Sequence, residues 1–268
     1  LREVIAVLET AYPPATAQSW DKVGLVTGDP EQPVRRIHLA LDPTLAVIEE
    51  ARDAGADLLV THHPLLMRGV NSVAVTSAKG ASVTSLIVAD IALYVAHTNA
   101  DVAAEGVCVA LAEACGLTDL EPLAVVEDQP LGRVGRLLSP LTLGEFARVV
   151  ARSLPSAPVG VRVSGPPGAT VERVAVLAGS GDDLFDAVRS HAADVYVTAD
   201  LRHHPALEAR EEAGGNTPYL IDAGHWSSEA IWLPRVAAVL RERLGDRVEV
   251  EVSDIVTDPW TFVIGGEG

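Results

Sequence analysis

The chain has 268 residues, and 37 acids against 20 bases give it a formal charge of −17. With 48% hydrophobic and 21% charged residues it has globular composition, long enough to bury roughly 70–75% of its unfolded surface in one large domain or two small ones. No run is basic, since Arg241–Arg247 is interrupted by Glu242 and Asp246; this argues against duplex nucleic acid as a partner, and no apolar run approaches the ~20 residues of a membrane span.

Read in chain order, strand and helix alternate. Val4–Ala11 is an amphipathic helix that stops at Pro13-Pro14. Arg36–Leu41 is a short apolar strand, followed by a turn at Asp42-Pro43 and a helix to Ala54. Leu58–Thr61 is the next strand, Ala78–Ala89 a helix, Ala92–Ala96 a strand and Gly106–Cys115 a helix. Cys108 and Cys115 lie seven apart on one face of that helix and read as core thiols. With no disulfide framework and no signal-peptide pattern at the start, a cytoplasmic location is expected. After Gly116 the pattern becomes less regular, with Arg133–Leu138 as a strand. Thr142–Ser153 is a helix opened by a Thr142/Glu145 capping box. Val159–Val163, Val174–Leu177, Val195–Thr198 and Tyr219–Ile221 are strand-like, Ile231–Leu244 is a final long helix and Val248–Val252 a last strand. This alternation places the chain in the α/β class.

An internal repeat organises the pattern. Ala56–Thr61 (Ala-Asp-Leu-Leu-Val-Thr) aligns without gaps on Ala193–Thr198 (Ala-Asp-Val-Tyr-Val-Thr) at an offset of 137, and the same offset lays Ile37–Leu41 on Val174–Ala178. Two similar α/β lobes are expected, residues 1–125 and 126–244, with the segment from about 245 to 268 packing back on the first. Thr61 and Thr198 then end equivalent strands, where active groups of α/β sheets cluster.

The residues just beyond those strand ends are polar. After Thr61 come His62, His63 and Pro64; a turn there lets both imidazoles reach a common centre, which suits zinc, iron or nickel. His97 and Asp101 stand four apart just past the strand Ala92–Ala96, and Asp101 alternatively caps the following helix. His225 and Glu229 stand four apart after the strand ending at Asp222, with Gly224 allowing a sharp turn. Together these give six N/O donors, more than the three usual in a mononuclear catalytic site and enough for a dinuclear one. Thr198–Pro205 occupies the repeat position of Thr61–Pro64 and adds Asp200, His203 and His204 as neighbours or proton carriers. Gly179-Ser180-Gly181 follows a strand, but it matches neither the P-loop nor the dinucleotide pattern, and anion binding is one reading of it. Trp20 sits beside Asp21 and Lys22, in core, at an interface or as a stacking platform.

The ordered set Trp20-Asp21-x-Val23-Gly24-Leu25, Thr61-His62-His63-Pro64, His97-Thr98-Asn99-x-Asp101, Gly179-Ser180-Gly181, Thr198-x-Asp200 with His203-His204, and Asp222-Ala223-Gly224-His225 with Glu229 resembles the Nif-three-like family, whose members are often labelled GTP cyclohydrolase 1 type 2 homologues. Lys22, Ala100 and Ala199 depart from the residues common there, and none is a ligand position. The resemblance implies a toroidal homohexamer of two-lobed chains and a dinuclear metal site. Its expected ligands are His62, His63, Asp101, His225 and Glu229, with His97 close by. It implies two divalent ions per chain, with zinc or iron favoured by the histidines and manganese or magnesium open. It also implies a metal-dependent hydrolase of a nucleotide or related heterocycle, opening the guanine imidazole ring with loss of formate; for such chemistry the residues themselves offer His97, Asp200 and His204 as catalytic candidates. The alternative is a non-catalytic metal-binding ring that docks protein partners.

Overall fold

The structure is a computed structural model that describes residues 1–264. In chain order the elements begin with α1 (Arg2–Ala11), β1 (Gly24–Thr27), β2 (Arg36–Ala40), α2 (Leu45–Asp53), β3 (Leu58–Thr61), α3 (Ala78–Val88), β4 (Ala92–Val95) and α4 (Thr98–Val102). They continue with α5 (Val107–Ala114), β5 (Leu117–Val126), β6 (Gln129–Thr142), α6 (Leu143–Ser153), β7 (Arg162–Ser164), β8 (Thr170–Ser180) and α7 (Phe185–Ser190). Last come β9 (Val195–Ala199), α8 (His203–Glu212), β10 (Tyr219–Asp222), α9 (His225–Ala230), α10 (Leu233–Leu244) and β11 (Glu249–Val252). Among the described residues no helix is long and apolar enough to cross a membrane.

The chain divides into two compact units, Leu1–Glu105 with Trp232–Thr257, and Gly106–Ile231 with the segment from Asp258. This differs from the boundaries expected at 125 and 244. Strand β5 pairs antiparallel with β6 and so belongs to the second sheet, whereas β11 pairs with β2, and α10 packs on α1 and β2 in the first unit. The tail from Asp258 is grouped with the second unit, and residues 265–268 of the expected packing segment lie outside the described residues.

The first unit holds a five-stranded sheet in the order β1-β4-β3-β2-β11, in which β11, β2, β3 and β4 run parallel and β1 closes one edge antiparallel. Its central strands β3 and β4 are buried along their whole length, which is why they read as unbroken apolar runs. Val47, Ile48 and Ala51 of α2 and Leu86 of α3 pack on Leu59, Leu93 and Val95. Truncating one of these leucines to alanine costs about 2–5 kcal/mol by general precedent. The second unit holds a six-stranded sheet in the order β5-β6-β8-β9-β10-β7, with β8, β9 and β10 parallel. Helix α6 starts with the expected capping box, Thr142 and Glu145 each bonding the other's backbone N–H.

The stretch after Gly116 is not irregular. Residues 117–142 form the long hairpin β5–β6, closed by Glu127 (φ 49°) and Asp128 (φ 62°) between the paired Val126 and Gln129. Positive φ at both central residues matches the strand twist, but Glu-Asp is not the Asn-Gly pair that announces such a turn.

The repeat extends to individual hydrogen bonds. In the first unit Ile37 stands opposite Leu58 and Leu39 opposite Val60; in the second, Val174 stands opposite Val195 and Val176 opposite Val197, each at the offset of 137. Asp57 Oδ2 accepts the backbone N–H groups of Arg35 (2.7 Å) and Arg36 (3.0 Å). Asp194 Oδ2 accepts those of Glu172 (2.8 Å) and Arg173 (2.8 Å). The Ala-Asp of each repeat therefore ties the start of one parallel strand to the start of its neighbour. Replacing Asp57 by Ala strips a charged acceptor from two backbone donors. Urea denaturation should show a loss of about 1–3 kcal/mol with unchanged m, and less for Asp57→Asn, which keeps an acceptor oxygen.

Candidate metal centre

Fixed register puts the ends of β3 and β4 side by side, since Thr61 pairs with Val95 and Ala96 donates its N–H to the Thr61 carbonyl at 3.0 Å. His62 and His63 leave the first strand and His97 the second. His63 N–H bonds Leu41 O at 2.9 Å and Thr61 Oγ1 donates to His63 O at 2.9 Å, which turns the chain so that the adjacent imidazoles share one side. Their ring centroids are 5.0 Å apart, and His97 lies 5.1 Å from His62 and 5.6 Å from His63. One donor atom from each of His62, His63 and His97 falls within 4.8 Å of the other two. Asp101, on the short helix α4, brings Oδ1 to 3.6 Å from His62 Nε2.

The other nitrogen of each ring is held by the protein. His62 Nδ1 donates to Ala96 O at 2.9 Å; His63 Nδ1 meets Asp42 Oδ1 at 2.6 Å; His97 Nδ1 meets Asp21 Oδ2 at 3.0 Å. Asp42 is itself bonded by Thr257 Oγ1, and Asp21 Oδ2 also accepts Thr98 Oγ1 (2.7 Å) and Thr98 N–H (3.1 Å). Burial works against a charged Asp21, but the bonds from His97 and Thr98 outweigh it and hold its carboxyl far below the usual carboxylate range. A carboxylate at Nδ1 fixes the ring's tautomer and orientation, so Nε2 is the nitrogen each ring offers.

The second unit repeats the device. Helix α9 starts after Gly224 (φ 78°), placing His225 and Glu229 on one face with Nε2 to Oε2 at 3.1 Å. Asp200 Oδ2 lies 2.7 Å from His225 Nδ1, and Asp200 holds a left-handed φ of 53°, uncommon outside glycine. Burial disfavours the His225 cation, yet its bonds to Asp200 and Glu229 prevail and raise its pKa to about 11. Gly179, at φ 67°, comes so near that a Cβ there would fall 2.2 Å from Glu229 Oε1 and 3.4 Å from His225 Nε2. Its N–H bonds Ser228 Oγ at 3.0 Å. The Gly179-Ser180-Gly181 loop thus packs against the His225/Glu229 pair, a role its sequence did not reveal.

Of the residues singled out from sequence, His62, His63, His97 and Asp101 gather in the first unit, and Asp200, His225 and Glu229 in the second. His203 and His204 are exposed in the first turn of α8, their rings 5.1 Å apart. The orienting roles of Asp21 and Asp42 were missed. Asp42 follows β2 and Asp21 lies in the Trp-Asp motif, so position at a strand end and motif membership were the available signals.

Two α/β units related by a sequence repeat, with imidazoles oriented by carboxylates at their strand ends, define a protein whose His and carboxylate groups can hold a metal ion. The chain belongs to the Duf34/NIF3 (NGG1p interacting factor 3) family, whose model matches residues 1–259. It is 49% identical over 269 aligned residues to a Streptomyces coelicolor protein named GTP cyclohydrolase 1 type 2 homolog, covering 97% of this chain and 93% of that one. In structure it is similar to a Bacillus cereus protein related to NIF3 (TM-score 0.89, 27% identity, 97% and 98% of the two chains). It is likewise similar to reduced HcgD from Methanocaldococcus jannaschii (TM-score 0.79, 31% identity, 95% and 97%).

The geometry of the first unit predicts that Asp42→Asn and Asp21→Asn each weaken zinc or iron binding about 10–100-fold while leaving the ligand side chains in place. Competition with a chromophoric chelator measures this, and unchanged affinity would show that the two carboxylates do not position the imidazoles.

Proposed function

We propose that this chain is a metal-dependent hydrolase of a nucleotide or related heterocycle, working with two divalent ions per chain in a homohexamer. The ligands in this reading are His62, His63, Asp101, His225 and Glu229, with His97 completing the group of three imidazoles. The observation that carries it is the engagement of Nδ1 in all four imidazoles, by Asp42, Asp21, Asp200 and the Ala96 carbonyl. A purely structural pair of histidines has no need of three dedicated carboxylates. The name carried by the Streptomyces coelicolor relative supports a nucleotide as substrate.

A divalent ion at such a site supplies a Lewis acid and a water acidic enough to act as nucleophile at neutral pH. The chain's own residues do the rest. Asp21, Asp42 and Asp200 hold the Nδ1 protons of His97, His63 and His225 and keep the rings from rotating. Asp200 and His97 therefore act by positioning and binding. His204, exposed at the start of α8, is the residue we assign to proton transfer. In this reading a hexamer excludes bulk water from the site and a small-molecule substrate is the partner.

Elemental analysis of protein purified without chelators should give two equivalents of zinc or iron per chain, and light scattering about six chains per particle. The double variant His62→Ala/His63→Ala should lose metal and formate release from GTP together. Turnover that survives metal loss, or a metal-loaded hexamer inert over a broad nucleotide panel, would sink the hydrolase.

Proton linkage gives a separate test. Because the His225 pKa is raised to about 11 without metal, the ring carries both protons at pH 8, and a metal ligand must be deprotonated. Zinc titration at pH 8 in buffers of different ionisation enthalpy should show net proton release, reduced in His225→Ala, and affinity should fall as pH falls. Proton-neutral binding would remove His225 from the ligand set.

A further inference from the structure

Trp20 is a large aromatic residue with no core to fill. It is 53% exposed, yet its loop is pinned at several points. Its indole Nε1 donates to Gln18 Oε1 at 2.6 Å, and Gln18 N–H donates to Thr98 Oγ1 at 3.0 Å. Asp21 N–H donates to Gln18 O at 2.9 Å, and the Asp21 side chain is buried against Thr98 and His97. The loop Gln18–Lys22 is therefore fixed to the first turn of α4, and the indole is fixed with it.

The ring it touches is His97, at 5.9 Å between centroids and 80° between planes. The two meet edge to face, not stacked, so indole surface stays open next to the imidazole cluster. An exposed, rigidly held tryptophan covers apolar area at small entropic cost, which suits it to recognising a flat partner. Lys22 follows two residues on, exposed, and is one of only two lysines in a chain of charge −17.

We propose that Trp20 is the stacking surface for the planar heterocycle of the substrate, with Lys22 beside it taking an anionic group. This rests on the proposed hydrolase function and narrows it to ligands that carry a purine-like base. Sequence alone left Trp20 between core, interface and platform. Its exposure removes the first, and its place on His97 favours the third over a contact between chains.

The test uses the full chain, zinc-loaded and chelated, titrated with guanosine, GTP and ribose 5-phosphate, and followed by calorimetry and tryptophan emission. Guanosine and GTP should bind with or without zinc, and ribose 5-phosphate at least about tenfold more weakly than GTP. Trp20→Ala should weaken guanosine binding about tenfold or more. Trp20→Phe should keep affinity within about threefold, because a phenyl ring still stacks, but lose most of the emission quench that guanosine causes. Lys22→Ala should weaken GTP but not guanosine. Equal guanosine affinity for Trp20→Ala and the parent overturns the proposal, as does failure of the parent to bind guanosine. A smaller particle for Trp20→Ala in light scattering also overturns it, since Trp20 would then be an interface residue. If zinc fails to bind while Trp20-dependent guanosine binding persists, the hydrolase reading falls and the stacking surface stands.

Discussion

One aspartate just before an inner parallel strand anchors the neighbouring strand in each unit. Asp57 and Asp194 use a single carboxylate oxygen to hold two consecutive backbone N–H groups of the preceding strand. Parallel strands have no hairpin turn to fix their register, so a side-chain anchor at the entry is an effective substitute. Once register is set at the start, the carboxyl ends are set too. Thr61 and Thr198 each accept a backbone N–H from the residue beyond the next strand, Ala96 at 3.0 Å and Ala223 at 2.8 Å. Slippage by one residue would send His62 and His97 to opposite faces and leave no cluster.

The two units share this frame and fill it differently. His97 and Asp101 follow β4 as His225 and Glu229 follow β10, each pair four apart on a short helix, but the offset is 128 instead of the 127 that aligns the strands. The extra residue is accommodated at Gly224, whose positive φ makes the turn. At the 137 offset Asp42 answers to Gly179 and His63 to Asp200. In the first unit that pair is a carboxylate bonded to an imidazole ligand candidate. In the second the carboxylate moves to the other member, Asp200 orients His225, and the vacated position becomes a glycine that admits Glu229. Each unit thus has a carboxylate behind an imidazole, supplied by different positions of the repeat.

Much of this was legible from sequence because it rests on short-range signals. Apolar runs marked the buried strands, Thr142 with Glu145 marked a helix start, and the His225/Glu229 spacing marked α9, whereas α4 was not read as a helix. The features that escaped depend on long-range register. Asp21 meets a ring 76 residues away and Asp42 one 21 residues away, and both are lost among 37 acids unless the strand ends are already known. Gly179 is legible only after Glu229 is placed against it. The hairpin β5–β6 escaped because its outer face is wet, its turn lacks Asn-Gly, and Pro122 and Pro130 argue against a strand, although edge strands and strand starts admit proline.

The carboxylates behind the imidazoles also decide what kind of ligand such groups can attract. With neutral rings the first-unit cluster carries Asp21, Asp42 and Asp101, and the second-unit pair carries Asp200 and Glu229. Groups so composed bind cations, and without metal a proton serves: that is the physical content of the high His225 pKa. A divalent ion in either unit would bring +2 against the two or three carboxylates of that unit, so each filled group would be close to neutral rather than a sink for anions. Long-range attraction therefore does little for a polyanionic nucleotide, the more so with −17 over the chain. Under the proposed function, recognition comes from short-range contacts, coordination at the ions and stacking of the base, and the open indole of Trp20 then matters more to substrate choice than the overall charge.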